Sequence, residues 1–255
     1  MAMLQKLYRK NITTENINTV GLYIDDEWKY QKESVPIQQF NTVSPNAIVI
    51  GNGITANQFD LTKILPYRET TPWGETGMWK YKRQIKNFLT YGCNAIYRNY
   101  KPDFVIATGK DFVDELAQQS YCNENIVYTN NKYLELHPNK FNFIPQNPEY
   151  NAGAIAAYLA AFDGHQRVYM LGFDGIDNTS DNYNFFAGTP NYPPSNYPIN
   201  EEFWVRSLNE VMSTYSDTEF IRVCPSKRFR QPESWKYNLN YKQIDFRQFV
   251  LEVGV

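Results

Sequence analysis

The sequence predicts an α/β protein of the Rossmann-like kind: one mostly parallel sheet flanked by helices, with an inserted loop and a lid segment. Three observations carry this reading. Short apolar, β-branched runs recur along the chain, and turn-forming residues end them. Helical patterns separate these runs, the alternation that crossover connections impose on a parallel sheet. Of the 255 residues, 42% are hydrophobic and 20% charged, enough apolar material for one large core. We read residues 1–45 as an N-terminal arm and 46–255 as a single domain, with an insertion at 66–84 and a lid at 174–200.

The elements follow in chain order. The arm is polar and mixed, with a run at 20–24 that suits an edge strand. NAIVIG at 46–51 is a buried strand that runs into a tight Gly-Asn-Gly turn. FDLTKIL at 59–65 is a short helix closed by Pro66. The insertion holds two Trp, two Pro, two Gly and the cations Arg68, Lys80, Lys82 and Arg83, and a helix is expected from Lys80 onward into Ile85 and Leu89. Strands are expected at 89–93, 104–108, 126–129, 141–144, 167–171 and 219–224. Helices are expected at 111–119, 151–162, 201–215 and 246–253. There is no internal repeat and no low-complexity tract.

Composition narrows the function classes. A net charge of −2 provides no global basic field for non-specific nucleic-acid binding, although local basic patches remain. Three cysteines, Cys93, Cys122 and Cys224, have no paired spacing, which argues against a disulfide framework and a zinc site. The two histidines, His137 and His165, adjoin turn residues and read as surface groups. Aromatics reach 16%; they suit a sugar or base pocket and equally a Tyr-rich core. The N-terminus has no secretory pattern and no apolar run is long enough for a membrane span, so a cytoplasmic location without membrane contact is expected.

Open α/β sheets bind ligands beyond the carboxyl ends of their strands. Here those ends carry Gly51-Asn52-Gly53, Asn94, Thr108, Gln146, Asp174 and Ser226, all small, polar or turn-forming. Gly51 and Gly53 let backbone amides approach a phosphate, although GNGITA lacks the third glycine of the dinucleotide fingerprint and also suits a plain turn. Asn151 is a good N-cap, and Ala152 and Gly153 open the helix start to an anion or simply begin a capped helix. Asp174 is placed to orient a hydroxyl or to brace its loop. With Asp177 it makes D-x-x-D rather than a metal-binding D-x-D, so no metal is expected. The segment from 174 to 200, with Tyr183 and Tyr192 among Gly, Asn and Pro, is long enough for a lid or binding loop. Lys227, Arg228 and Arg230 form a local basic cluster that suits a phosphate or a polyanionic acceptor, or a solvated surface. There is no P-loop and no Ser-His-Asp or Cys-His arrangement.

Four stretches carry a family resemblance: AIVIGNG (47–53), YGCNAIY (91–97), NAGAIAAYLAAFDGHQRVYMLGFDG (151–175) and VCPS (223–226). Their order resembles the metal-independent bacterial sialyltransferases of glycosyltransferase family 42, and the related 6-hydroxymethylpterin pyrophosphokinase-like proteins. YGCNAIYRNYKPDFVIATG and the later GFDG stretch also look like proteins of large tailed bacteriophages, which would place the chain in an infected host cell. The resemblance implies that Asn52 and Asn94 contact the nucleotide. It implies that Asn151, Ala152 and Gly153 hold the donor phosphate, with Tyr150 close by, and that the lid covers the acceptor. The sialyltransferases place a histidine base before the long helix; here residues 196–200 read NYPIN, without one. A base would then be a carboxylate, Asp174 or Asp181 by location.

The expected function is therefore transfer from a nucleotide-activated donor, a nucleotide sugar acting as co-substrate with no further cofactor. The acceptor would be a glycan, a virion protein or phage DNA, a polyanion suiting the basic residues. A pyrophosphokinase-like enzyme using ATP and metal is the second reading. A non-catalytic protein of the same fold is the third. A homo-oligomer is compatible with each.

Overall fold

The computed structural model describes residues 4–9, 18–24, 27–32, 44–68, 77–80, 87–119, 121–134, 136–137, 140–144, 146–174, 184–192 and 201–255. The chain opens with three antiparallel strands, β1 (Leu4–Arg9), β2 (Asn18–Ile24) and β3 (Glu27–Lys32). The run expected at 20–24 lies within β2.

Eight parallel strands form the main sheet. They are β4 (Asn46–Ile50), β5 (Phe88–Cys93), β6 (Phe104–Ile106), β7 (Ile126–Thr129), β8 (Asn142–Phe143), β9 (Arg167–Leu171), β10 (Glu219–Cys224) and β11 (Tyr241–Asp245). Their order across the sheet is β11-β10-β9-β4-β5-β6-β7-β8. Winding runs outward from β4 to β8, returns through one long crossover to β9 beside β4, and then runs outward the other way. The point where it reverses lies between β4 and β9. β1 lies beside the outermost strand β8.

Helices cover both faces. They are α1 (Ile54–Asn57), α2 (Lys110–Gln118), α3 (Tyr121–Glu124), α4 (Asn131–Leu134), α5 (Ala152–Phe162), α6 (Glu201–Thr214) and α7 (Phe246–Val253). Alternation along the strands divides the core. Ile48 and Ile50 face one layer with Val113, Leu116 and Phe249 of α2 and α7. Ala47 and Val49 face the other with α5 and with Leu208 and Met212 of α6. The sequence of α5, AGAIAAYLAAF, has no polar face, as its position between the sheet and α6 requires. Its alanines keep the helix thin, so it packs close to β4, β5, β6 and β9.

Three expectations change. β11 was not read as a strand: YKQID is polar because it is an edge strand with mostly half-exposed side chains. FDLTKIL contributes a 3-10 turn at Leu61–Lys63 instead of a helix, with Asp60 as its cap. The helix expected from Lys80 into Leu89 falls mainly on 81–86, outside the described residues; Leu89 lies in β5 instead, and Lys80 itself pairs with Tyr67 to close the base of the insertion.

Candidate functional site

The ends of β4 and β9 run past the strands together. Gly51 N–H donates to Leu171 O at 2.8 Å and Gly53 N–H to Gly172 O at 3.0 Å. Gly172 has φ +71°, and a Cβ on it would lie 2.6 Å from Gly51 O; one on Gly51 would lie 2.6 Å from Gly172 O. These two glycines are dictated by backbone contact. Asp174 then closes the turn, its carboxylate accepting from Thr55 N–H at 3.0 Å and Thr55 Oγ1 at 2.7 Å at the start of α1. The amides of Gly51, Gly53 and Thr55 are therefore engaged within the protein. The glycine loop shapes the pocket floor and does not offer these amides to a phosphate.

Beyond these ends lies a cavity of about 310 Å³. Gly51, Asn52 and Gly53 line it from β4, Cys93 and Asn94 from β5, and Gly172, Phe173 and Asp174 from β9. Asn151, Ala152 and Gly153 enter at the start of α5, with Asn184, Tyr192 and Trp204 completing the wall. It occupies the reversal point of the winding, where doubly wound sheets place their ligands.

The pocket's polar groups divide into acceptors and donors. The Asn52 and Asn94 side-chain oxygens are sealed from solvent and have no hydrogen-bond partner among the described residues. Buried polar atoms of this kind normally find a partner. Asn94 holds φ +45°, a left-handed conformation that Asn tolerates better than most residues. Its backbone bend turns the chain from β5 into the 3-10 turn Asn94–Arg98. On the donor side, Asn151 caps α5 by accepting Ala154 N–H at 2.9 Å. Helix geometry leaves the amides of Ala152 and Gly153 without intrahelical acceptors. No acidic residue occupies the first turn, so the positive end of this buried helix faces the pocket without a carboxylate on the helix itself.

Residues 184–192 lie over this arrangement. Asn184 pairs with Gly53, and Phe185 N–H donates to Asn52 O at 3.0 Å. Asn52 Nδ2 donates to the Tyr192 hydroxyl. Burial pushes the Tyr192 phenol up to about 12, against the opposing pull of the Asn94 and Asn184 amides. The far side is bolted to α2: Arg98 donates to both Glu115 oxygens, at 2.9 and 2.6 Å, to Thr189 Oγ1 at 2.9 Å and to Pro190 O at 2.8 Å. This part of the expected lid is an anchored cover.

Burial raises the Asp174 carboxyl above its ordinary value, and the two Thr55 bonds oppose that rise. Burial likewise pushes the Cys93 thiol up to about 12, which removes it as a thiolate nucleophile. Beneath the site, Arg222 is fully buried on β10 and donates to Phe173 O at 2.8 Å, fixing the loop that carries Asp174.

Other expected site residues lie elsewhere. Thr108 follows β6, half-buried, and is not among the cavity-lining residues. Ser226 and Arg228 are exposed beyond β10, where Ser226 Oγ accepts Arg228 N–H at 3.2 Å. Tyr150 is half-buried and outside the cavity wall. Asp181 and Tyr183 lie outside the described residues. His165, expected at the surface, is 2% exposed, with Nε2 3.0 Å from the Tyr91 hydroxyl and Nδ1 2.8 Å from Ser44 O. His137 pairs with Asp114 at 2.8 Å. Trp204 was missed: in an amphipathic helix it reads as core.

Fold and pocket together define a doubly wound α/β protein with an all-parallel main sheet and a cavity at its topological switch point. No protein-family model matches the chain, and no curated protein matches it. Among solved structures, a variant of the sialyltransferase Cst-II in complex with CMP is 13% identical, with TM-score 0.44, covering 71% of this chain and 81% of that one. The monofunctional α-2,3-sialyltransferase Cst-I from Campylobacter jejuni is 17% identical, with TM-score 0.45 and coverage of 71% and 76%. An α-2,3-sialyltransferase from Campylobacter jejuni in apo form is 16% identical, with TM-score 0.38 and coverage of 71% and 75%. No helix among the described residues is long and apolar enough to cross a membrane.

Proposed function

We propose that this chain is a glycosyltransferase-like enzyme that holds a nucleotide-sugar donor in the switch-point pocket and transfers the sugar to an acceptor hydroxyl. One observation carries the reading: Asn52 and Asn94, whose side-chain oxygens are sealed and unpartnered, line the same cavity as the open start of α5. A nucleotide sugar matches both. Its hydroxyls and base amino group supply donors to the asparagine oxygens, and its phosphate supplies the anion for the helix start. The motifs that resemble glycosyltransferase family 42 are also the ones that supply Asn52, Asn94 and Asn151 to this cavity.

In the proposed reaction the bond between the anomeric carbon and the phosphate oxygen breaks, and its electron pair leaves with the phosphate. The acceptor oxygen bonds to the anomeric carbon, and its proton passes to a base. The α5 amides stabilise charge on the departing phosphate. The cover at 184–192 limits access of water, which would otherwise compete as acceptor. Asp174 is the described carboxylate at the cavity, and it is our candidate base. The reading requires no metal, so chelation with EDTA should leave turnover unchanged.

A second reading, a nucleotide-binding protein without transfer, has its own support: both Asp174 oxygens already accept from Thr55. One experiment separates the two. A thermal-shift panel of nucleoside phosphates and their sugar conjugates, with and without magnesium, is followed by chromatography of each stabilising conjugate with glycan and DNA acceptors. Release of nucleotide with sugar transfer supports the enzyme. Stabilisation without turnover supports the binding protein. Stabilisation by ATP with magnesium alone, or by nothing, rejects the proposal.

A further inference from the structure

We propose that the indole N–H of Trp204 is a ligand-binding group, the side-chain donor of an anion subsite whose other donors are the first amides of α5. The inference rests on the nucleotide-sugar reading of the same pocket and adds the residue that grips the donor's phosphate.

Trp204 stands in the first turn of α6, 7% exposed, and lines the cavity together with Ala152 and Gly153. Its ring is held edge-on against Trp235, with centroids 5.4 Å apart. Its Nε1–H is sealed from solvent and has no acceptor among the described residues. The neighbouring indole is different: Trp235 Nε1–H donates to Val205 O at 3.1 Å. Both rings sit in the same layer, yet only one satisfies its N–H within the protein. Packing alone does not call for this, because an apolar side chain would bury no unpaired donor. An acceptor delivered by a ligand does account for it.

The identity of that acceptor follows from the surroundings. The capped start of α5 opens on the same cavity, and among the described residues no lysine or arginine lines it, Asp174 being its charged side chain. Neutral N–H donors on residues that line one cavity suit a phosphate held by hydrogen bonds and the helix dipole. Trp204 is therefore a binding residue with a rigid donor that loses little rotamer freedom when the phosphate arrives.

The test uses the full chain labelled with ¹⁵N. Five tryptophans give five indole signals, and Trp204→Phe identifies one of them by its loss. The probes are CMP, UMP, AMP and GMP, the four matching nucleosides, and inorganic phosphate. The expected result is a downfield, saturable shift of the Trp204 indole signal with a monophosphate. The monophosphate should bind roughly ten- to hundredfold tighter than its nucleoside, the increment of a hydrogen bond to a charged group. Trp204→Phe should remove most of that advantage while leaving the nucleoside constant within about twofold. A variant that keeps the full phosphate advantage, or weakens nucleoside and nucleotide equally, overturns the role of Trp204 and leaves the proposed function standing. If no nucleoside or nucleotide perturbs the wild type but phosphate still shifts the Trp204 signal, the subsite stands and the nucleotide-sugar reading falls. If phosphate also fails, both fall. The wild-type shift keeps the test decisive should Trp204→Phe not fold, with Trp204→Tyr then serving for assignment.

Discussion

Asn94 meets two requirements at once, a left-handed backbone and an unpaired oxygen in the cavity, and substitutions can separate them. Asn94→Gly removes the amide and keeps the backbone unstrained. Asn94→Ala removes the same amide and leaves in the left-handed region a residue that tolerates it less well than Asn, at a cost of up to about 1 kcal/mol. Both should weaken nucleotide binding about tenfold, while only the alanine variant lowers the urea midpoint of the unliganded protein. Undiminished affinity in Asn94→Gly would remove Asn94 from the ligand contacts. Asp174 gives a pH prediction. Burial, the larger influence, holds its folded pKa above the ordinary 3.8 despite the Thr55 bonds. A raised carboxyl pKa means that folding takes up a proton, so its favourable contribution is complete below the unfolded value and declines as pH rises through the folded value. Subtracting the stability of Asp174→Asn from that of the wild type should give a difference that is largest below about pH 4 and falls above it. Urea titrations from pH 3 to 8 measure this, and a difference that grows with pH would show that the Thr55 bonds prevail. The asparagines were legible because each follows an apolar strand run. Trp204 was not, since nothing local distinguishes a core indole from a ligand-facing one. His165 misled because Asp163-Gly164 signals a turn, whereas its partners Tyr91 and Ser44 are supplied by distant parts of the chain.

The elements at the pocket are joined by backbone contacts that tolerate no extra atom. Gly172→Ala would put a Cβ 2.6 Å from Gly51 O in a residue already at φ +71°. Gly254 shares the left-handed conformation at the end of α7, with φ +69°, but a Cβ there meets nothing within 4 Å. Comparing the two isolates close approach from conformation. Gly254→Ala should cost about 1 kcal/mol, the conformational cost alone. Gly172→Ala should cost about 3 kcal/mol or more, because β4 and β9 must part to admit the methyl. Chemical denaturation of the two variants side by side measures the contrast, and equal losses would show that the β4–β9 ends yield easily. At this scale the sequence was informative where burial was symmetrical. The runs NAIVI, RVYML and EFIRVC, buried on both faces along most of their length, gave their strands to within a residue. β11 escaped because an edge strand need not be apolar, and its YKQID pattern carries no signal apart from its neighbours.

For the whole molecule, the sequence indicated a parallel sheet with ligands at its carboxyl edge, but strand order is a matter of pairing over long separations and cannot be read from local pattern. That order decides which loops meet. The winding reverses between β4 and β9, so Asn52, Asn94, Asn151 and Asp174 converge on one cavity, while Thr108, Ser226 and Arg228 do not line it. The same order gives residues 184–192 their role. They follow β9, on one half of the sheet, and reach across to Arg98 and to Glu115 of α2 on the other half, with Asn191 Nδ2 donating to Glu115 at 2.7 Å. The segment therefore ties the two halves together over the pocket, and releasing the tie would open the pocket from that side. Replacing Arg98 by Met together with Glu115→Gln removes the arginine part of the tie without leaving a half-buried carboxylate unpaired. In that double variant the amides of Phe185, Ala187 and Thr189, each bonded within the cover or to Asn52, should exchange with solvent at least about tenfold faster. Amides inside α5 should keep the protection set by global unfolding. Bound nucleotide should dissociate faster with little change in its association rate, since the loss falls on contacts formed after docking. Hydrogen exchange resolved by residue and stopped-flow release of a fluorescent nucleotide measure the two effects. Uniform acceleration of every amide would instead make the cover an inseparable part of the fold, and an unchanged dissociation rate would show that ligand leaves by a path that does not pass beneath Tyr192.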